Sequence, residues 1–143
     1  MRHGISLPEM VVVFALVGIL TAAALPKAVY LRDWIAVEQA ASDVVSLHAL
    51  TRQLAVLKGT RSRLTIAADT LRVDLVTSDS VIPFLRRPGA ARRGVALSVS
   101  VPVIEFHPTG VGRGATNTRV VLSRGSASVT LTNSRLGRLK RRD

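Results

Sequence analysis

RHGISLPEMVVVFALVGIL, residues 2–20, sets Glu9 directly before an uncharged run that continues as TAAAL to Leu25. A carboxylate at that point is costly if the segment enters a bilayer. It is equally out of place in an ordinary secretory signal, whose charged start is basic. Two readings compete. In one, Arg2 and His3 form the basic start, the apolar core comes next, and cleavage falls after Ala24 in TAAALP. In the other, the apolar stretch begins at Ile5, tolerates Ser6, Pro8 and Glu9, and ends at Leu25. Those twenty-one residues match the roughly 20 needed to span a membrane as a helix.

The residues beyond Leu25 separate the two. Pro26 can kink a helix, yet Val37, Ala41, Val44, Leu47, Leu50, Leu54 and Leu57 recur at three- and four-residue steps, the spacing of one helical face. Glu38, Ser42, Asp43, Ser46 and Gln53 fall between them. Gly59 then supplies a stop, because it enters the left-handed conformation that helix C-termini favour. The pattern predicts one helix over residues 6–58, apolar all round in its first half and one-sided in its second. A cleaved signal has no reason to run smoothly into such a helix. Glu9 also fits a cap: Ser6-Leu7-Pro8-Glu9 is a Ser-x-x-Glu capping box with proline in the first turn, and an acid there suits the positive helix end.

These residues resemble the type IV pilin and pseudopilin N-terminus: a Gly, a cut, a hydrophobic residue, Ser or Thr, Leu, any residue, then Glu. The resemblance implies that a prepilin peptidase cuts between Gly4 and Ile5 and methylates the new terminus at Ile5. It implies that Glu9 meets the terminal amine of a neighbouring subunit during assembly. Ile5 stands where Phe is commoner, and the leader would be only four residues long. The division implied is a leader at 1–4, a transmembrane and assembly segment at 5–25, an amphipathic continuation at 26–58 and a β-rich domain at 59–143.

The remainder reads as antiparallel strands. Only 3% of residues are aromatic while 48% are hydrophobic, so the core must be built from Val, Leu, Ile and Ala, with Phe84 and Phe106 expected inside it. Arg63–Ala67 and Leu71–Val76 flank a turn at Ala68-Asp69-Thr70. Val81–Leu85 carries Pro83 and is expected at an edge or in irregular structure. Residues 86–94, RRPGAARRG, read as a loop. Val95–Val101, Val103–Phe106, Arg119–Ser123, Ala127–Thr132 and Arg135–Lys140 complete the strands, with a turn-rich connection over 107–117. The expected class is α+β: a long N-terminal helix packed on a small, two-sheet antiparallel domain.

A second resemblance lies at the C-terminal end. Phe106-x-Pro108-x-Gly110, followed by alternating strands ending in LGRLKRR, is similar to the minor pseudopilin family called GspH/FimT. Members act in the type II secretion pseudopilus or as minor pilins of type IV pili. Some of the latter bind DNA through a C-terminal Gly-Arg-x-Arg; the corresponding positions here are Gly137, Arg138, Leu139 and Lys140, where Lys replaces the second Arg and keeps the charge but loses the planar fork. The function implied is a minor pseudopilin of type II secretion, with a DNA-binding pilin for uptake as the alternative. The partners implied are other pseudopilins or pilins, the prepilin peptidase, the bacterial inner membrane and, on the alternative, DNA without sequence preference. A single pass would leave the C-terminal domain in the periplasm or otherwise outside the cytoplasm.

Charge bears on that alternative. The net charge is +11, and residues 80–143 carry twelve Lys/Arg against two acids, whereas residues 1–79 carry eight against seven. Arg86, Arg87, Arg92 and Arg93 cluster in the loop; Arg138, Lys140, Arg141 and Arg142 cluster at the end. Such a surface favours polyanions in a salt-dependent way, against the plainer reading of a solvated surface and tail. Enzyme chemistry is not expected. His3, His48 and His107 are far apart, with no acid cluster at ligand spacing. No Gly-x-Ser-x-Gly elbow occurs, and no helix pattern succeeds Gly110-x-Gly112-x-Gly114 as a phosphate loop would require. No cofactor or metal is expected, and the absence of cysteine rules out disulfides and thiolate ligands.

Overall fold

The computed structural model describes residues 7–114 and 117–142. Among them is one α-helix, α1 (Leu7–Lys58), which passes through Pro26 without ending. Gly59 terminates it at φ 59°, its N–H reaching back to the Val56 carbonyl at 3.3 Å. The chain divides between Arg32 and Asp33 into two units. In the first, every large apolar side chain described from Leu7 to Leu31 is exposed. The helix is long and apolar enough to cross a membrane. Thr21, the one hydroxyl in its apolar run, donates to the Val17 carbonyl at 2.7 Å, which satisfies it within the helix.

In the second unit α1 becomes one-sided. Val37, Ala41, Val44, Leu47 and Leu54 are buried as the spacing predicts, joined by Ala36, Ala40 and Ala55. Leu50 is partly buried and packs against this core. One expectation fails: Leu57, in the last turn of α1, is 78% exposed.

Nine strands make up the rest of the described chain: β1 (Arg61–Ile66), β2 (Thr70–Val76), β3 (Val81–Pro88), β4 (Ala96–Val99), β5 (Val103–Phe106), β6 (Gly112–Arg113), β7 (Thr118–Arg124), β8 (Ala127–Asn133) and β9 (Leu139–Arg142). They form a five-stranded sheet ordered β3-β2-β1-β5-β6 and a four-stranded sheet ordered β4-β7-β8-β9, each paired antiparallel throughout. Local chemistry explains the hairpins. The Ala67 N–H bonds the Thr70 carbonyl at 3.0 Å between β1 and β2. Gly125, at φ 54°, opens the two-residue turn between β7 and β8, a position that demands a positive φ.

The inward residues of both sheets close on α1. Leu64, Ile66, Val73, Ile104 and Phe106 come from the first sheet; Val120, Leu122, Val129 and Leu131 come from the second. The fold class read from the sequence is therefore the observed one. Several boundaries differ. Arg86 and Arg87 extend β3 rather than joining a loop, and Ala90–Arg93 forms a 3₁₀ turn. The strand expected at 135–140 starts only at Leu139, since Ser134–Arg138 closes a turn through the Ser134 N–H and the Arg138 carbonyl at 2.9 Å. β4 is shorter than Val95–Val101. Phe84, expected in the core, is 48% exposed: β3 is an edge strand with little covering it.

Candidate functional site

Gly4 and Ile5 lie outside the described residues. Glu9 sits in the first turn of α1, exposed like the apolar side chains that succeed it. A carboxylate there meets the positive end of the helix dipole, ahead of a surface of exposed Val, Leu and Ile. That is the arrangement a helix needs if its acid and its apolar wall are both to be covered by other chains.

The eight basic residues singled out from the sequence separate into two groups with different surroundings. Arg86 and Arg87 lie exposed on β3, Arg86 reaching Thr70 Oγ1 at 3.4 Å. Arg87, Arg92 and Arg93 line a cleft of about 420 Å³ with Pro88 and Asp43. Arg138 lies in the turn before β9, and Lys140, Arg141 and Arg142 lie on β9, an edge of the other sheet.

Two of the eight are engaged by α1. Arg93 Nη1 stands 2.7 Å from Asp43 Oδ2, and its Nε donates to Gln39 Oε1 at 3.3 Å. Arg141 meets both oxygens of Glu38 at 2.5 Å in a fork. A third pair joins them, Arg124 Nε to Asp33 Oδ1 at 2.8 Å, with Arg124 also donating to the Arg93 carbonyl. The three helix acids are five residues apart, about 140° per step around the axis. Asp33 therefore stands in line with the buried stripe, and Glu38 and Asp43 stand on its two borders. Each holds an arginine from a different part of the β domain, so three C-terminal cations fasten the helix to the sheets. The pairing of Arg124 with Asp33 had no signal in the sequence, because nothing local relates residues that far apart.

The C-terminal motif has a packing basis. Gly137 takes φ 79°, and a Cβ placed on it would come within 2.6 Å of Phe106 Cε1. A Cβ on Gly112 would meet the Gly137 nitrogen at 2.6 Å and the Arg135 carbonyl oxygen at 2.7 Å. Phe106, Gly112 and Gly137 thus form one close contact between β5, β6 and the turn that launches β9. Gly112, read as part of a loose connection, is a point of close backbone approach.

His48 is the buried titratable group at this junction. Its Nε2 lies 2.9 Å from Asn133 Oδ1, and its ring meets Phe106 edge-on at 5.1 Å. Burial holds its pKa below the ordinary 6.5, Arg52 adding to that effect and the Asn133 bond opposing it. The folded state therefore binds this proton less readily than the unfolded chain, so stability declines as pH falls below about 6.5. Thermal melts on either side of that pH should show this slope, and His48→Gln should flatten it. An unchanged slope would assign the pH dependence to other groups.

The family model described as "Type II transport protein GspH" matches residues 40–137. Two crystal forms of the type IV minor pilin FimU of Pseudomonas aeruginosa PAO1 are similar in structure, at TM-scores of 0.64 and 0.61 and 15% identity. They cover 75% and 74% of this chain and 88% and 92% of those chains. The minor pseudopilin EpsH from the type 2 secretion system of Vibrio cholerae gives a TM-score of 0.59 at 14% identity, covering 73% of this chain and 94% of that one. No curated protein matches the sequence significantly.

Proposed function

The chain belongs to the GspH family of type II transport proteins, and from that membership we propose that it is a minor pseudopilin of a type II secretion pseudopilus. A family of this kind implies assembly with other pseudopilins or pilins. On this reading residues 1–4 are a leader removed by a prepilin peptidase, and residues 5–25 anchor the protein in the inner membrane before assembly. Residues 26–58 carry the helix into the domain at 59–143, which is held outside the cytoplasm. Glu9 then pairs with the terminal amine at Ile5 of a neighbour, which offsets the cost of a carboxylate in an apolar setting.

The observation that carries this reading is α1 itself. One helix runs from an exposed, apolar half into a half buried against two sheets. The part of α1 from Asp33 to Lys58 is thereby tied to the fold, and cleavage after Ala24 would remove the apolar half of a helix that is otherwise continuous. Mass spectrometry of the chain made alongside a prepilin peptidase should give a mature N-terminus at Ile5, carrying one added methyl. A mature start at Leu25 would overturn the membrane-retained reading.

A second reading, a minor pilin that binds DNA, is favoured by one observation. Six of the eight basic residues, Arg86, Arg87, Arg92, Arg138, Lys140 and Arg142, have no carboxylate partner among the described residues. If four or five reach phosphates together, the log–log salt slope is about −4, at roughly −0.9 per contact. Changing Arg138, Lys140 and Arg142 to Gln should flatten it by about three units on the same scale. Binding that ignores those changes, or none at low salt, would return these residues to plain surface.

A further inference from the structure

The outer faces of the two sheets differ in how their charge is compensated. On the first, Arg63 meets Glu105 at 2.7 Å, Arg113 approaches the same carboxylate at 3.8 Å, and Arg72 meets Asp74 at 2.8 Å. Those three cations have acids beside them, whereas Arg61 and Arg86 of the same sheet have none among the described residues. On the second, β8 alternates strictly: Ala127, Val129 and Leu131 are buried, and Ser128, Thr130 and Thr132 face outward. Register then decides what flanks those hydroxyls. Arg119 of β7 lies opposite Thr132, Arg142 of β9 lies opposite Thr130, and Lys140 lies opposite Thr132 from the other side. No acid pairs with Arg119, Lys140 or Arg142 among the described residues.

We infer that this face is a seat for a phosphate ester, held over β8 between Arg119 and Arg142. Asn117, Arg119, Ser128, Thr130, Thr132 and Arg142 line one open cleft of about 520 Å³ there. The arginines stand two strand spacings apart and staggered by two residues, about 12 Å at the backbone, within reach of long side chains that extend over the strand between them. Two guanidinium forks match an oxyanion that offers several acceptor oxygens and more than one negative charge. The hydroxyls donate into the floor, and Lys140 adds a point charge at the rim. A neutral ligand would leave two cations facing each other uncompensated. A lone carboxylate would neutralise only one of them.

The seat does not rest on DNA binding, since a single phosphate group fills it, and Arg119 stands outside both basic clusters visible in the sequence. The test is backbone-amide NMR of the full chain in maltoside micelles, titrated with inorganic phosphate at constant ionic strength in chloride. Saturable shifts are expected at Ser128, Thr130 and Thr132. Arg119→Gln and Arg142→Gln should each weaken the dissociation constant about tenfold, the loss expected for one charge-assisted contact. The double variant Lys58→Gln/Arg61→Gln, which removes two cations away from β8, should leave it unchanged. Equal weakening by that double variant would mean that binding follows net charge, and would overturn the seat. Absence of saturable shifts at the three β8 residues would overturn it too. A dithymidylate arm identifies the source: clear preference for inorganic phosphate assigns the seat to a phosphate monoester, whereas equal affinity for this singly charged diester would overturn a seat built for a doubly charged oxyanion.

Discussion

Gly137→Ala should destabilise the β domain by about 2–5 kcal/mol, the sum of left-handed backbone strain of about 1–2 and overpacking of about 1–3. The glycine sits at φ 79°, and the new Cβ would stand 2.6 Å from Phe106 Cε1. Phe106 is fully buried and already contacts His48, while Gly112 blocks the turn from the other side with backbone atoms. Neither neighbour can give way cheaply. Gly59→Ala is the control: its φ of 59° imposes the same kind of strain, but no atom lies within 4 Å of the new Cβ. It should cost about 1–2 kcal/mol, from strain alone. Urea unfolding of both variants measures the difference. Equal losses would show that the Phe106 contact relaxes freely, and that Gly137 is there for its backbone conformation only.

Glu9→Leu should leave insertion into the membrane intact or improve it, because a costly carboxylate is removed from an apolar segment. If Glu9 pairs with a neighbour's terminal amine as proposed, incorporation into filaments should fall by about a hundredfold, since breaking a buried ion pair by removing one partner costs roughly 3 kcal/mol or more. Glu9→Gln separates this role from helix capping. It keeps a side chain able to complete a capping box and loses the charge, so assembly should suffer almost as much. A lost cap alone costs only about 0.5–2 kcal/mol of helix stability. The measurement is co-purification with partner pseudopilins at equal membrane abundance. Unchanged incorporation in both variants would leave Glu9 as a cap and nothing more.

Both predictions begin from features visible in the chain, but they needed different amounts of structure. Glu9 stands out by sequence alone because an acid before a long apolar run has few physical reasons to be there. Gly137 could be read as part of a basic ending; only the approach of Phe106 and Gly112 gives it a packing reason. Arg93 and Arg141 changed meaning in a similar way. In the sequence they are two more cations in basic clusters. In the fold they bind Asp43 and Glu38, so their charge is largely satisfied before any ligand arrives.

Features that depend on near neighbours were legible in the chain. The apolar run and the three-four spacing produced α1, Gly59 ended it, and Gly125 with its flanking alternation produced the β7–β8 hairpin. Alternation also settled which residues of a strand share a face, since that period is fixed by the backbone. What covers each face, and how far each strand extends, came from the packed domain. Alternation is indifferent to whether a strand ends up at an edge, so Phe84 looked like core and lies half exposed on β3. Helical spacing does not mark how far along a helix its buried stripe extends, so Leu57 continued the apolar pattern and is exposed. Gly137 lies against Gly112 and Phe106 from other strands, and the pairing of Arg141 with Glu38 spans 103 residues. Such contacts arise only when distant elements meet in one core, and they leave no periodic trace in the chain.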